Sequence, residues 1–225
     1  MENLFQVAID GPAAAGKSTV AKIAAKTLGF VYIDTGAMYR SLTYKALKEK
    51  VNLNNGQALK ELLDSTEIKL VQGVRGQKVY VDGDDVTDLI RYPEVSEHVS
   101  LVSSYEAVRA EMVDRQRKLA QSCSVVMDGR DIGTHVLPNA QVKIFLIASV
   151  EERAVRRYRE ELQKGRHPSM ETLKESIALR DKKDMERDVS PLVKAADAVA
   201  LDTTSLSIEE VVEKILHFVK EKQPS

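Results

Sequence analysis

Apolar residues along this chain come in short solid blocks and in longer helical stripes, and the two alternate. Residues 4–9 read LFQVAI and run into Asp-Gly-Pro, which predicts a buried strand ended by a turn. Residues 18–28 put Val20, Ile23, Ala24 and Leu28 on one stripe and stop at Gly29, the pattern of a helix with a glycine cap. Residues 30–33 give a second short strand, and residues 36–50 a second amphipathic helix. Strand, helix, strand, helix in this rhythm predicts a parallel sheet with helices on its faces.

The rhythm breaks in the middle. Residues 67–86 are short alternating runs cut by Gly73, Gly76 and Gly83, which predicts a small antiparallel hairpin unit. Helical stretches follow at 93–102 and 106–120, and residues 62–104 read as an inserted lobe. Strands then resume at 124–127, ending in Asp128, and at 142–147. Two long charged helical stretches, 151–164 and 170–187, are joined through Gly165, His167 and Pro168. A last strand at 198–201 precedes a helix opened by Ser207, with Glu210 placed for a capping box. Its stripe of Ile208, Val211, Val212, Ile215, Leu216 and Val219 predicts a core-facing side.

Composition narrows the classes. The chain has 225 residues, 43% hydrophobic and 30% charged, which fits one folded domain with an insertion and argues against disorder. The net charge of −1 removes any bulk electrostatic pull toward nucleic acid or a membrane. Absent tryptophan disfavours a base-stacking platform. The single cysteine, Cys123, excludes an intrachain disulfide and a thiolate cluster, and reads as a small packed residue. His98, His135, His167 and His217 are scattered without metal-ligand spacing. No apolar run approaches the roughly 18 residues of a membrane span. The first residues lack the basic and apolar regions of a secretory signal, so a cytoplasmic, monomeric protein is expected.

The strongest chemistry lies at the end of the first strand. Gly11-Pro12-Ala13-Ala14-Ala15-Gly16-Lys17-Ser18, followed by Thr19, fits G-x-x-x-x-G-K-[ST] between a predicted strand and a predicted helix. That spacing turns successive backbone N–H groups, and a helix N-terminus, toward phosphate oxygens. Lys17 then sets a cation on the β- and γ-phosphates, and Ser18 a hydroxyl on Mg²⁺. No N-K-x-D stretch for reading guanine is present, so ATP is the expected triphosphate.

Arginines gather at other strand ends, where open α/β sheets bind ligands. Thr35, Gly36 and Arg40 follow the second strand, and Arg130 and Asp131 follow the third. Arg180, Asp184 and Arg187 share one helix face at i, i+4, i+7, and Arg109 lies after the lobe. Arg180 with Asp184 also suits an ordinary surface pair. Taken together, these forks predict a second, phosphate-bearing substrate facing ATP. Asp128 ends an apolar strand, a place for a Mg²⁺-holding carboxylate or for a turn cap.

IDGPAAAGKST at 9–19, DTGAMYR at 34–40, DGRDIGT at 128–134 and LRDKKDMERDVSPL at 179–192, together with the lobe, resemble the bacterial cytidylate kinase family over essentially the whole length. The resemblance implies a P-loop nucleoside monophosphate kinase fold: a core at about 1–61, 105–150 and 188–225, a monophosphate-binding lobe at about 62–104, and a lid at about 151–187. It implies transfer of the γ-phosphoryl of ATP to CMP or dCMP, with Mg²⁺ and without nucleic-acid or membrane partners. By position, Thr35, Arg40, Arg130 and Arg187 look like ligands of the acceptor phosphate. Ser100, Arg109 and Asp131 resemble cytosine readers, and Arg180 and Asp184 the sugar contacts. Lys17, Arg130 and Arg187 would surround the transferring group. Thr35 stands where the family often has serine, and keeps the hydroxyl. Arg153 and Arg157 look like lid residues facing ATP, or else belong to a solvated helix face. The rival readings are a kinase for another nucleoside monophosphate, UMP or AMP, and a non-catalytic ATP-binding module.

Overall fold

The computed structural model describes residues 4–73, 76–163 and 165–223. Strand β1 (Gln6–Asp10) leads through the phosphate loop into α1 (Lys17–Leu28), and β2 (Val31–Asp34) leads into α2 (Thr35–Lys48). Helix α3 (Gly56–Asp64) precedes three short strands, β3 (Ile68–Gly73), β4 (Gly76–Val81) and β5 (Asp84–Asp85). Helices α4 (Pro93–Val102) and α5 (Glu106–Leu119) return the chain to β6 (Val125–Gly129) and β7 (Val142–Ile147). Helices α6 (Val150–Gln163) and α7 (Met170–Glu186), strand β8 (Val199–Asp202) and α8 (Ile208–Lys222) complete it.

Five strands form one sheet in the order β2-β6-β1-β7-β8, and every neighbouring pair is parallel. A parallel sheet is covered on both faces, so its central strands are apolar throughout rather than alternating. Val7, Ile9, Val126 and Ile144 pack on one side with α1 and α8, and Ala8, Ile33, Val125 and Met127 pack on the other. Gly29 closes α1 in the left-handed region, as the sequence predicts, and Ser207 with Glu210 forms the capping box of α8. The predicted stripe of α8 is buried at Val211, Val212, Ile215 and Val219, while Ile208 is exposed.

The hairpin unit is an antiparallel sheet in the order β3-β4-β5. It docks on the free edge of β2, where the amides of Gln72 and Gln77 both donate to Tyr32 O, at 2.7 and 2.6 Å. Helix α3 was absent from the sequence reading. Its signals are short: an Asn55 cap on Ala58 N and a stripe of Leu59, Leu62 and Leu63. That stripe packs with α2, α4 and α5 in one apolar cluster, so helices on both sides of the hairpin unit share a core with α2. Among the described residues, no helix is long and apolar enough to cross a membrane.

Candidate active site

The carboxyl ends of β1, β2 and β6 converge on one crevice, walled opposite by α7. The phosphate loop owes its shape to glycine at two points. Gly11 has φ 146°, and a Cβ there would sit 2.5 Å from Leu146 O, so the loop can pass β7 only without a side chain. Gly16 takes φ 89° as the cap of α1. Ala14 also lies at positive φ, 59°, a conformation that non-glycine residues rarely adopt outside functional loops. Lys17 Nζ donates to Pro12 O at 2.6 Å, and Thr19 N to Gly16 O at 3.1 Å. Burial, and then Arg130, hold the Lys17 pKa well below the usual lysine value.

Ser18 and Asp128 meet across the sheet: Ser18 Oγ donates to Asp128 Oδ2 at 2.9 Å. Tyr32 donates to the other oxygen at 2.7 Å, and Thr35 Oγ1 to the Asp128 carbonyl at 2.7 Å. Burial, with Asp34 next, raises the Asp128 pKa. Of the two sequence readings of Asp128, the turn cap is not what forms, because its side chain caps no helix and faces Ser18.

The arginines form a cationic wall in which Arg109 is buried and Arg40, Arg130, Arg180 and Arg187 are half-buried. Arg130 Nε donates to Asp184 Oδ2 at 2.8 Å, and Ser100 Oγ donates to Oδ1 at 3.3 Å. Arg109 hydrogen-bonds Asp131, donates to Ser103 O at 3.1 Å, and lies over the Tyr39 ring. Arg187 Nη2 is 3.7 Å from Asp131 Oδ1. Arg40 and Arg180 are half-buried, and Arg180 lies in the field of Arg40. Burial, then Arg130 and Arg40, push Arg180 down to about 9, and burial also lowers Arg40. Burial would raise the Asp34 pKa, but Arg91 and Arg40 outweigh it and hold the carboxyl low.

Arg153 and Arg157 part company. Arg153 is buried, pairs with Asp181 at 2.6 Å and donates to Ala13 O at 3.0 Å, so it grips the phosphate loop rather than a solvated face. Arg157 pairs along its own helix with Glu160 and Glu161 at 3.3 and 2.9 Å. Between them, Arg156 bridges Ala15 O and Thr203, a contact not foreseen from the sequence. Arg91 on Asp34, Asp181 on the Ala13 N–H at 3.4 Å, and Asp10 were likewise missed. Asp10 had a signal. It ends an apolar strand just as Asp128 does, and the same rule would have picked it out.

Comparison with known proteins now adds to this geometry. Residues 7–221 match the family model described as cytidylate kinase. The chain belongs to the cytidylate kinase family. The cytidylate kinase of Bacillus subtilis (strain 168) is 60% identical over 222 residues, covering 99% of both chains. That of Geobacillus sp. (strain WCH70) is 61% identical over 222 residues with the same coverage. A crystal structure of an uncharacterized protein from Eubacterium ventriosum ATCC 27560 superposes with TM-score 0.52 at 14% identity, covering 97% of this chain and 99% of that one, a likeness of fold alone. The cytidylate kinase match spans both sheets and every element that lines the crevice. The family resemblance carried by DTGAMYR and DGRDIGT is thereby borne out, as is the α/β fold.

Proposed function

We propose that this chain transfers the γ-phosphoryl of ATP to an oxygen of the CMP or dCMP phosphate, giving ADP and CDP or dCDP. One observation carries the reading. Among the described residues, seven buried side-chain nitrogens or oxygens lack a partner, and four of them are guanidinium nitrogens of Arg40, Arg109, Arg180 and Arg187. Buried donors are almost always paired, and buried charges more so. Four guanidinium groups around one crevice, each with a nitrogen left unpaired, fit an anionic ligand opposite the phosphate loop.

In this reading the loop N–H groups and Lys17 hold the ATP phosphates, while Arg40, Arg130 and Arg187, with Thr35, hold the CMP phosphate. The acceptor phosphate is already ionised, so no general base is required. Catalysis is positioning plus neutralisation of charge spread over the transferring group. Lys17, Arg130 and Arg187 would stand around that group. Arg180 and Asp184 are assigned to the sugar. Arg153 fixes the phosphate loop from α6, and Arg157 lends positive field to the same crevice. We read residues 62–104 as the monophosphate lobe and 151–187 as the lid that keeps water from the γ-phosphate.

Ser18 and Asp128 suit Mg²⁺: a hydroxyl and a carboxylate are hard oxygen donors, and they stand 2.9 Å apart. An ion held there would take its remaining ligands from phosphates and water. When bound, Mg²⁺ supplies charge neutralisation at the β- and γ-phosphates.

Base choice follows from donors and acceptors. Asp131 accepts from the cytosine amine, and Arg109, which is hydrogen-bonded to Asp131, donates to N3 or O2. Uracil presents O4 in place of the amine and N3–H in place of the N3 acceptor, so the Asp131 contact and an Arg109 contact to N3 both mismatch and leave charged groups unpaired, whereas O2 is common to both bases. A coupled ADP-release assay across CMP, dCMP, UMP, AMP and GMP tests this. CMP and dCMP should exceed UMP by orders of magnitude. Equal turnover of CMP and UMP overturns the base assignment, and ATP bound but not consumed with any of them overturns the enzyme.

A further inference from the structure

Asp10 links the phosphate loop to the loop that carries Arg130 and Asp131. Its backbone is the last residue of β1 and runs directly into Gly11 of the phosphate loop. Its side chain points the other way along the crevice floor, only 5% of the residue being exposed. Both carboxylate oxygens are used: Oδ1 accepts from Ile132 N and Oδ2 from Gly133 N, each at 2.8 Å. These two amides open a single π-helical turn, Ile132–Val136, whose bonds include Leu137 N to Ile132 O at 2.7 Å. The first N–H groups of a helical turn lack partners within it. A carboxylate is the side chain that offers two acceptors and no donor, so it satisfies both at once.

Burying a carboxylate is costly, and burial raises its pKa to about 6. What the chain gains is a fixed origin for the residues just before the anchored pair. Asp131 turns from that point to hydrogen-bond Arg109, and Arg130 turns to Asp184 at 2.8 Å. We propose that Asp10 is a positioning residue for base recognition: its carboxylate presets the 130–133 loop relative to the phosphate loop, so that Asp131 and Arg109 meet the base in register with the transferring phosphate. The inference rests on the reading of Asp131 and Arg109 as base contacts.

Asp10→Asn tests it, because an amide keeps the shape but turns a donor toward one of the two N–H groups. Kinetics with CMP, UMP and ATP are measured on the full chain alongside thermal unfolding. The expected result is a KM for CMP raised about tenfold or more, a CMP-over-UMP preference in kcat/KM reduced about tenfold, and a KM for ATP within about twofold of the parent. An unchanged CMP-over-UMP preference overturns the proposal, whether the KM values stay put or rise together. If the parent enzyme itself shows no such preference, the base-contact reading has failed instead, a distinct result. Hydrogen exchange in the unaltered, nucleotide-free protein needs no variant. The amides of Ile132 and Gly133 should be protected about 100-fold or more, and less protection means that the loop is not preset.

Discussion

Arg130 and Asp184 form a 2.8 Å ion pair between the loop after β6 and the face of α7, and the second oxygen of that carboxylate accepts from Ser100 on α4. One carboxylate therefore ties three elements together around the acceptor site. It also aims Arg130. The pairing outweighs the effect of burial and holds the Asp184 carboxyl below its ordinary pKa, with Arg130 and then Arg180 as the causes.

Removing the carboxylate should cost both fold and function. Asp184→Ala leaves the half-buried Arg130 beside Arg180 and Lys17 without its hydrogen-bonded carboxylate, Asp128 and Asp181 being its remaining counter-charges. Breaking a buried pair from one side costs about 3–5 kcal/mol, which in a chain of this size lowers the melting midpoint by roughly 10 °C. Activity with CMP should fall by about 10²-fold or more, since Arg130 loses its direction. Calorimetry and steady-state kinetics check the two effects. A melting midpoint that does not move would mean that the pair carries no net stability.

Arg180 should behave in the opposite way on stability. It is a half-buried cation in the field of Arg130 and Arg40, which Asp184 offsets only in part, and the nucleotide-free fold bears that repulsion. Arg180→Met keeps the volume and removes the charge. The variant should melt a few degrees higher than the parent without nucleotide, while kcat/KM for CMP drops by about 10²-fold. In the parent, CMP should raise the melting midpoint more than it does in the variant, because a ligand that binds only the folded state stabilises it. A variant that melts lower and keeps full activity would refute the account of the cationic wall.

Lys17 separates catalysis from folding. Its ammonium is buried and donates to Pro12 O at 2.6 Å. Lys17→Ala should remove most phosphoryl transfer, on the order of 10²–10⁵ in kcat, with the melting midpoint unchanged or slightly raised. Near-parental turnover would take the phosphate loop out of the mechanism.

Much of this arrangement could be read from the residues. The parallel strands were legible because burial on both faces makes them solid apolar blocks, and the phosphate loop because its spacing is dictated by the anion it holds. Arg40, Arg109, Arg130, Arg180 and Arg187 were legible as a set because so many guanidinium groups at strand ends exceed what a solvated surface explains. Helix α3 was hidden by its length of nine residues and by Gly56 at its start, a weak helix former. The π-helical turn at Ile132–Val136 left no sign in the sequence, since its five residues are too few to show a period. Arg156 on Thr203 and Asp181 on Ala13 stayed hidden for another reason. Each joins segments far apart in sequence, and a charged helix such as α6 gives no local sign of which arginine turns inward.

Asp10 gives a pH signature with a definite sign. Burial raises its pKa from 3.8 to about 6, with Asp131 pushing the same way; the Gly133 and Ile132 amides, and then Lys17, push back. Lys143 also borders the site, its aliphatic carbons lying against Gly133. The folded carboxyl thus keeps its proton up to about pH 6, while the unfolded one releases it near pH 4. Between those values the folded state binds more protons, so this group makes stability fall as pH rises, and its cost is fully present above pH 6. About two pKa steps amount to roughly 3 kcal/mol. Asp10→Asn has no such proton to lose. Urea unfolding of parent and variant from pH 7 down to pH 4 should therefore show their difference in stability shifting toward the parent by about that amount. Parallel stability curves across the window would show that Asp10 is ionised in both states at pH 5, and that its carboxylate sits in a far wetter place than the floor between β1 and the 132–136 turn.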